Sequence, residues 1–145
     1  MEGGSANDYE YCFADPINCY DIDGLASKWR THSTVATTVD DHGFYGKIFA
    51  SVRVQRASNG RVRVQFEIRT SGLLRMSTFR MHAWIQGPDG KIHHDGDFTF
   101  LTRQGVAHPS APYKEGGRYK VWGYAEYDSG IGGLRRTYFW GDVIV

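Results

Sequence analysis

The sequence predicts an all-β protein, built as an antiparallel two-sheet sandwich with an extended N-terminal arm. From Ile48 onward, polar and apolar residues alternate in long segments with the period of two that half-buried strands require. Aromatic residues make up 14% of the chain and glycines number 18, which suits pleated faces joined by many tight turns. Because no long segment has helical spacing, about seven short strands are expected to pack in two layers.

Composition limits the kinds of partner. A chain of 145 residues has room for one domain plus an arm. Seventeen Lys and Arg against sixteen Asp and Glu give no overall field for nucleic acid or an anionic membrane, so nucleic acid is a possible partner only through a local patch. No apolar run approaches the roughly 20 residues of a membrane span, and no signal peptide opens the chain. Nothing indicates a cofactor.

The arm carries a spaced set of residues: Asn7, Tyr9, Tyr11, then Asp15-Pro16-Ile17-Asn18, then Asp21, Gly24 and Leu25. This set resembles the end of the core domain of RHS-repeat proteins, which are large secreted shells that carry a variable C-terminal domain, very often a toxin. Ile22 departs from the family, since many members have proline there. The resemblance implies that residues 1–25 end the shell and that Asp21 and Leu25 mark a processing site. The alternative is a tail packed on residues 26–145.

Cysteines occur only in the arm, at Cys12 and Cys19. A disulfide between them is conceivable in an oxidising compartment, but free thiols are the favoured expectation. The domain at residues 26–145 therefore does not depend on disulfides for its stability.

Residues 34–68 predict an edge strand and a first hairpin. Thr34–Val39 suit a short edge strand. Apolar residues then fall at even positions on both strands of the hairpin. If these residues share one face, the numbers of two residues paired across the antiparallel strands must add to an even sum, the register sum. A three-residue loop, Ser58–Gly60, with Gly60 left-handed, satisfies this requirement and pairs Val54 with Val64, whereas a two-residue turn does not.

Residues 79–100 predict a second hairpin. Its apolar positions are odd on the first strand, at Phe79, Met81, Ala83 and Ile85, and even on the return, at Ile92, Phe98 and Phe100. This parity requires an odd register sum, so we expect a four-residue loop, Gly87–Gly90, with Gln86 paired to Lys91. His94 then faces the core, and Gly96 marks a bulge or a change of sheet.

A last hairpin follows a connection, residues 101–117, that is expected to cross between the sheets. Alternating residues of 119–127 and 137–145 supply its inner face. The segment Gly116–Val121 is similar to the penultimate strand of fibronectin type III and related immunoglobulin-like domains. By that resemblance the sandwich is immunoglobulin-like, and Tyr119 is a corner tyrosine whose hydroxyl bonds back to the upstream loop. The alternative is a plain inward-facing tyrosine.

The outer face of the second hairpin is the candidate catalytic site. In the predicted register, His82 lies opposite Asp95 and Trp84 opposite His93, with Arg80 and Asp97 on the same face. A carboxylate that orients one imidazole while the other acts as acid or base, beside a cation, suits metal-independent cleavage of RNA. A metal site made from His82, His93, Asp95 and Asp97 is a less favoured alternative. An ordinary solvated face with cross-strand ion pairs is the simplest explanation.

Two further surfaces are candidates for binding. Trp122, Tyr124, Tyr138 and Trp140 share one face of the last hairpin, and together with Trp84 they either form a binding patch for sugar or protein or fill the space under the arm. Arginines on the first hairpin, at 53, 56, 61, 63 and 69, either track a phosphate backbone or keep the sheet soluble.

The RHS resemblance implies the biological setting. Residues 26–145 are expected to be the C-terminal effector tip of a secreted or delivered protein that acts in competition between bacteria. Its expected partners are a cognate immunity protein and the RHS shell. The leading hypothesis for its action is target binding through a surface of the sandwich. A small ribonuclease and an inactive structural cap are the alternatives.

Overall fold

The computed structural model describes residues 28–130 and 133–145, and the predictions for Cys12, Cys19, Asp21 and Leu25 fall outside these ranges. The strands are β1 (Trp29–Asp41), β2 (Lys47–Ala57), β3 (Arg61–Thr70), β4 (Met76–Gln86), β5 (Ile92–Thr102), β6 (Gln104–Ala107), β7 (Ser110–Pro112), β8 (Arg118–Asp128) and β9 (Leu134–Ile144), with a short 3-10 turn at Gly43–Tyr45. No helix in the two described ranges is long and apolar enough to cross a bilayer.

The strands form two antiparallel sheets, which confirms the predicted all-β sandwich. Sheet A has the order β1-β2-β3-β6, with β7 also pairing with β3, and sheet B has the order β5-β4-β8-β9. The inward faces of both sheets meet in one apolar core. Within this core, Phe66 of sheet A packs edge-on against Phe139 of sheet B, with ring centroids 4.8 Å apart.

The connections cross between the sheets in immunoglobulin-like order. The hairpin β2–β3 lies in sheet A, β4–β5 in sheet B, β6 and β7 return to sheet A, and β8–β9 ends in sheet B. The predicted crossing at residues 101–117 is confirmed, although the sequence did not indicate that it contains two short strands. At the outer edge of sheet A, β1 is an additional strand of 13 residues, longer than the edge strand expected over Thr34–Val39.

The first hairpin has the predicted register. Val54 pairs with Val64, and Arg56 pairs with Val62. Gly60 has a φ of 83°, and its N–H donates to the carbonyl of Ala57 at 3.3 Å. The loop is therefore the three-residue type in which glycine takes the left-handed position.

The second hairpin differs from the prediction by one residue. Gln86 pairs with Ile92 rather than with Lys91, and this register holds along both strands. Gly90 has a φ of 82°, and the N–H of Gly87 donates to the carbonyl of Lys91 at 3.2 Å. The turn is thus again a three-residue loop, Pro88–Gly90, with left-handed glycine. The predicted four-residue loop is wrong.

A slip of one residue exchanges the two faces of β5. Ile92, Phe98 and Phe100 point to solvent, and each is more than half exposed. His94 also faces outward, contrary to the prediction. Gly96 stands in regular pairing opposite His82 rather than in a bulge. A Cβ at Gly96 would lie 3.0 Å from His82 Nδ1, so glycine leaves room for the imidazole.

Tyr119 is the corner tyrosine that the resemblance implied. Its side chain is fully buried at the start of β8. The hydroxyl donates to the carbonyl of Pro112 at 2.7 Å and accepts the N–H of Lys114 at 2.9 Å. These two bonds link the loop after β7 to β8. They therefore fix the end of the crossing at which the chain returns to sheet B.

Tyr119→Phe is expected to lower the free energy of unfolding by about 1.5 kcal/mol, because two backbone groups of the loop lose their partner. Urea denaturation followed by tryptophan fluorescence measures the change. Tyr45→Phe is the matched control, since Tyr45 is 46% exposed. Equal urea midpoints for Tyr119→Phe and Tyr45→Phe would show that the corner bonds add no net stability.

Candidate functional site

A continuous set of rings covers the outer side of sheet B. His94, Trp84, Trp122 and Trp140 lie directly opposite one another across β5, β4, β8 and β9. The next row contains Gly96, His82, Tyr124 and Tyr138 in the same strand order. We call the seven rings of these rows the aromatic face. The structure thus brings the predicted binding residues Trp84, Trp122, Tyr124 and Trp140 onto one surface.

Neighbouring rings of the aromatic face pack on one another in stacked or tilted geometry. Trp84 and Trp122 are nearly parallel, with centroids 6.1 Å apart and an interplanar angle of 9°. Trp84 also packs on His94 at 5.0 Å and on Tyr124 at 6.2 Å. Tyr124 reaches Tyr138 at 6.4 Å. The rings that pack on one another limit each other's rotamers, which makes this part of the aromatic face rigid before any partner binds.

The aromatic face is open to solvent at the β9 side. Trp140 is 80% exposed and Tyr138 67%. Phe98 and Phe100 extend the apolar surface along β5, packed edge to face at 5.1 Å. A contiguous exposed patch of this kind is uncommon on a monomer and typically marks an interaction site.

Most charged side chains near the aromatic face contact an oppositely charged group or an aromatic ring. Arg136 is paired with Glu126, and Arg118 Nη1 lies 3.7 Å from Asp142 Oδ2. The guanidinium carbon of Arg80 lies 5.1 Å from the ring centroid of Phe98. The rim therefore carries both signs of charge.

His82 and His94 bond to each other. His82 Nδ1 and His94 Nε2 are 2.8 Å apart, so one ring donates its N–H to the other. The rings also overlap, with centroids 5.0 Å apart. Burial, then the neighbouring His94, then Arg80 lower the pKa of His82 below that of a free imidazole. If both of these nitrogens carried a proton, the N–H groups of His82 and His94 would point at each other and the hydrogen bond would be lost.

The predicted catalytic group is not assembled. Opposite His82 stands Gly96 rather than Asp95, and His93 lies opposite Ile85, on the inward side of the sheet. Arg80 and His82 therefore face outward while His93, Asp95 and Asp97 face inward, so the proposed acid–base pair is divided by the sheet. The metal hypothesis fails for the same reason. Within residues 28–130 and 133–145, no three potential ligands among His, Cys, Asp and Glu come together.

The inward acids and imidazoles of β5 meet the connection between β6 and β7. Asp95 Oδ2 accepts the backbone N–H of His108 at 2.7 Å. The Nε2 atoms of His93 and His108 are both buried without a hydrogen-bond partner in the described ranges. Burial and the nearby Arg63 lower the pKa of His108 to about 4, against the opposite effect of Asp95. This polar cluster lies where β5, the edge strand of sheet B, packs against the connection between β6 and β7.

Arginines of the first hairpin lie against rings rather than in an open row. The guanidinium carbons of Arg56, Arg63 and Arg69 lie 3.9 to 4.5 Å from the ring centroids of Tyr113, Trp29 and Phe49. Arg61 donates to the hydroxyl of Ser110 at 2.9 Å. Arginines held in this way cover aromatic rings, and Arg63 is buried. These contacts test neither of the two roles expected for them.

The sequence matches no protein-family model and has no significant similarity to a curated protein.

Sequence reasoning missed His94 as a member of the aromatic face. The signal that identifies it is Pro88-Asp89-Gly90, whose glycine suits the left-handed position of a three-residue loop. That loop alone sets the register and turns His94 outward. The apolar parity of Phe98 and Phe100 suggested the opposite register.

The structure predicts that stability falls as His108 gains a proton. Since its pKa is about 4 in the folded chain and that of a free imidazole is about 6.5, the unfolded chain takes up the proton first between these values. The free energy of unfolding should fall by about 2 kcal/mol as the pH goes from 6.5 to about 4, after allowance for partial solvent access.

Urea titrations across that pH range measure the effect of His108. His108→Phe keeps a ring at this position but removes the titrating group, so its stability should vary less with pH than that of the natural chain. Parallel pH curves for the two proteins would contradict the assignment.

His82 should titrate below the usual imidazole range in an NMR pH series. His94→Ala should raise its pKa, because the variant removes both the neighbouring ring that buries His82 and the repulsion from a second imidazole. Ile92→Ala, which removes an exposed side chain on the same face of β5, serves as the control and should leave the His82 titration unchanged. No upward shift in His94→Ala would show that the pair does not control His82.

Proposed function

We propose that residues 26–145 form a binding domain that holds its target on the aromatic face. The observation that carries this proposal is the row of three tryptophans in register on the outer side of sheet B. These rings lie outside the core, so the stability of the sandwich does not account for them. Tryptophan and tyrosine are enriched among residues that dominate binding energy, because they bury large areas with few rotatable bonds.

The outer side of sheet B, on which the aromatic face lies, is large enough for a specific partner. Four neighbouring strands spaced by about 4.8 Å, each with 11 residues, span roughly 700 Å². A standard interface buries about 800 Å² on each partner. Because the rings stand on paired strands and most of them pack on one another, those rings lose little side-chain freedom on binding.

The resemblance of residues 7–25 to the end of an RHS core supports the biological part of the proposal. In that setting the sandwich is the effector tip of a secreted protein that is delivered to a recipient bacterium. The tip then acts by attaching to a component of the recipient. A cognate immunity protein and the RHS shell are the partners that the same resemblance implies.

The proposal is tested with the full chain, fluorescently labelled, on intact recipient bacteria. A Tyr138→Ala/Trp140→Ala double variant should bind about thirty-fold more weakly or worse, since two exposed rings of the aromatic face are lost. Phe44→Ala is the matched control, because Phe44 is 87% exposed but lies in the 3-10 turn between β1 and β2.

Thermal unfolding should show that both variants keep the fold. Equal binding by the double variant and the natural chain would overturn the aromatic face as the binding surface. A chain that attaches to no cells would instead favour the structural cap.

A further inference from the structure

A concave feature lies at the β9 side of the aromatic face. A cleft of about 310 Å³ opens beside Trp122 and Trp140, with Lys120 and Asp142 at its edge. Trp122 stacks on Trp84, while Trp140 makes no ring contact with another described residue. The cleft therefore offers tryptophan surface that no other ring covers, in a volume at the lower end of the range for small-molecule sites.

Polar groups line up along one side of the tryptophan row. Gln86, Lys120 and Asp142 lie opposite one another on β4, β8 and β9, two residues along each strand from Trp84, Trp122 and Trp140. They supply an amide, an ammonium donor and a carboxylate acceptor. A ligand that stacks on the tryptophans thus meets donors and acceptors at its edge.

The charges of this surface are close to balanced. The outward positions of β4, β8 and β9 carry four cations, Arg80, Arg118, Lys120 and Arg136, against three anions, Glu126, Asp128 and Asp142. Arg118 and Arg136 lie beside Asp142 and Glu126, respectively. A phosphate backbone needs a groove of unpaired cations along its path, which this surface lacks. Charge complementarity therefore favours an uncharged ligand.

We propose that the ligand is a neutral glycan and that the cleft at Trp140 holds one of its pyranose rings. The C–H face of a pyranose stacks on an indole, and its equatorial hydroxyls point outward at the ring edge, toward Lys120 and Asp142. Neighbouring sugars continue along the row over Trp122 and Trp84. This inference rests on the proposed binding function and names the class of molecule bound.

Binding of the natural chain to uncharged glycans tests the inference. Cello-oligosaccharides, chito-oligosaccharides, soluble β-1,3-glucan and mannan are the probes, with hyaluronan and single-stranded poly-uridylate as anionic comparisons. Calorimetry and tryptophan fluorescence should detect at least one neutral glycan, with little change between low and high salt. Trp140→Ala should weaken that binding about thirty-fold, and Asp142→Ala about ten-fold. Phe44→Ala should leave it unchanged.

Cell binding separates the failure of this inference from that of the proposed function. Cells treated with periodate, which oxidises glycans, should lose the labelled chain. If the chain binds none of the neutral probes and still binds periodate-treated cells but not protease-treated cells, the partner is a protein and the glycan inference is overturned, while the aromatic face remains the binding surface. Tight, salt-sensitive binding to poly-uridylate would also overturn it. Absence of binding to untreated cells would overturn both proposals.

Discussion

Strand register is the constraint on which the surface chemistry of this protein depends. In a β-strand the side chains alternate between the two faces, so a shift of one residue moves every side chain to the other side of the sheet. The register of β5 is set at Gly90, whose left-handed backbone closes a three-residue loop. With that loop, His94 joins the row of Trp84, Trp122 and Trp140, and Asp95 turns inward to the N–H of His108.

The outward position of so many rings has a physical implication. If β5 had the register in which its apolar residues face the core, Phe98 and Phe100 would be buried and His93 and Asp95 would face water. The structure has the opposite register. Apolar side chains that remain in solvent contribute little burial energy, and contacts between aromatic rings add only about 0.5 to 1.5 kcal/mol per pair. Exposed apolar surface also promotes aggregation. The stability of the described sandwich therefore does not explain the aromatic face, which is the reason we propose that it binds a partner.

Much of the fold could be predicted because local signals agreed with one another. At the first hairpin, apolar parity and the glycine loop require the same register, and the structure has it. Tyr119 was located from a short motif, and its hydroxyl bonds confirm the corner. At the second hairpin the same two signals disagreed. The positions of the apolar residues predicted the wrong register there because β5 is an edge strand next to the crossing between the sheets. At that place inward polar groups contact backbone partners such as the N–H of His108, rather than a second apolar layer.

The same geometry explains why a sheet face, rather than a set of loops, is the binding surface in our proposal. Immunoglobulin-like sandwiches often bind through loops at one end of the sheets. Here the loops at Ser58–Gly60 and Pro88–Gly90 have three residues each, so they offer little contact area. The strands of sheet B run for 11 residues, and β4, β8 and β9 each carry rings at two successive outward positions. A partner that gains affinity from repeated stacking would bind along such rows, because each added unit finds another ring at a fixed spacing.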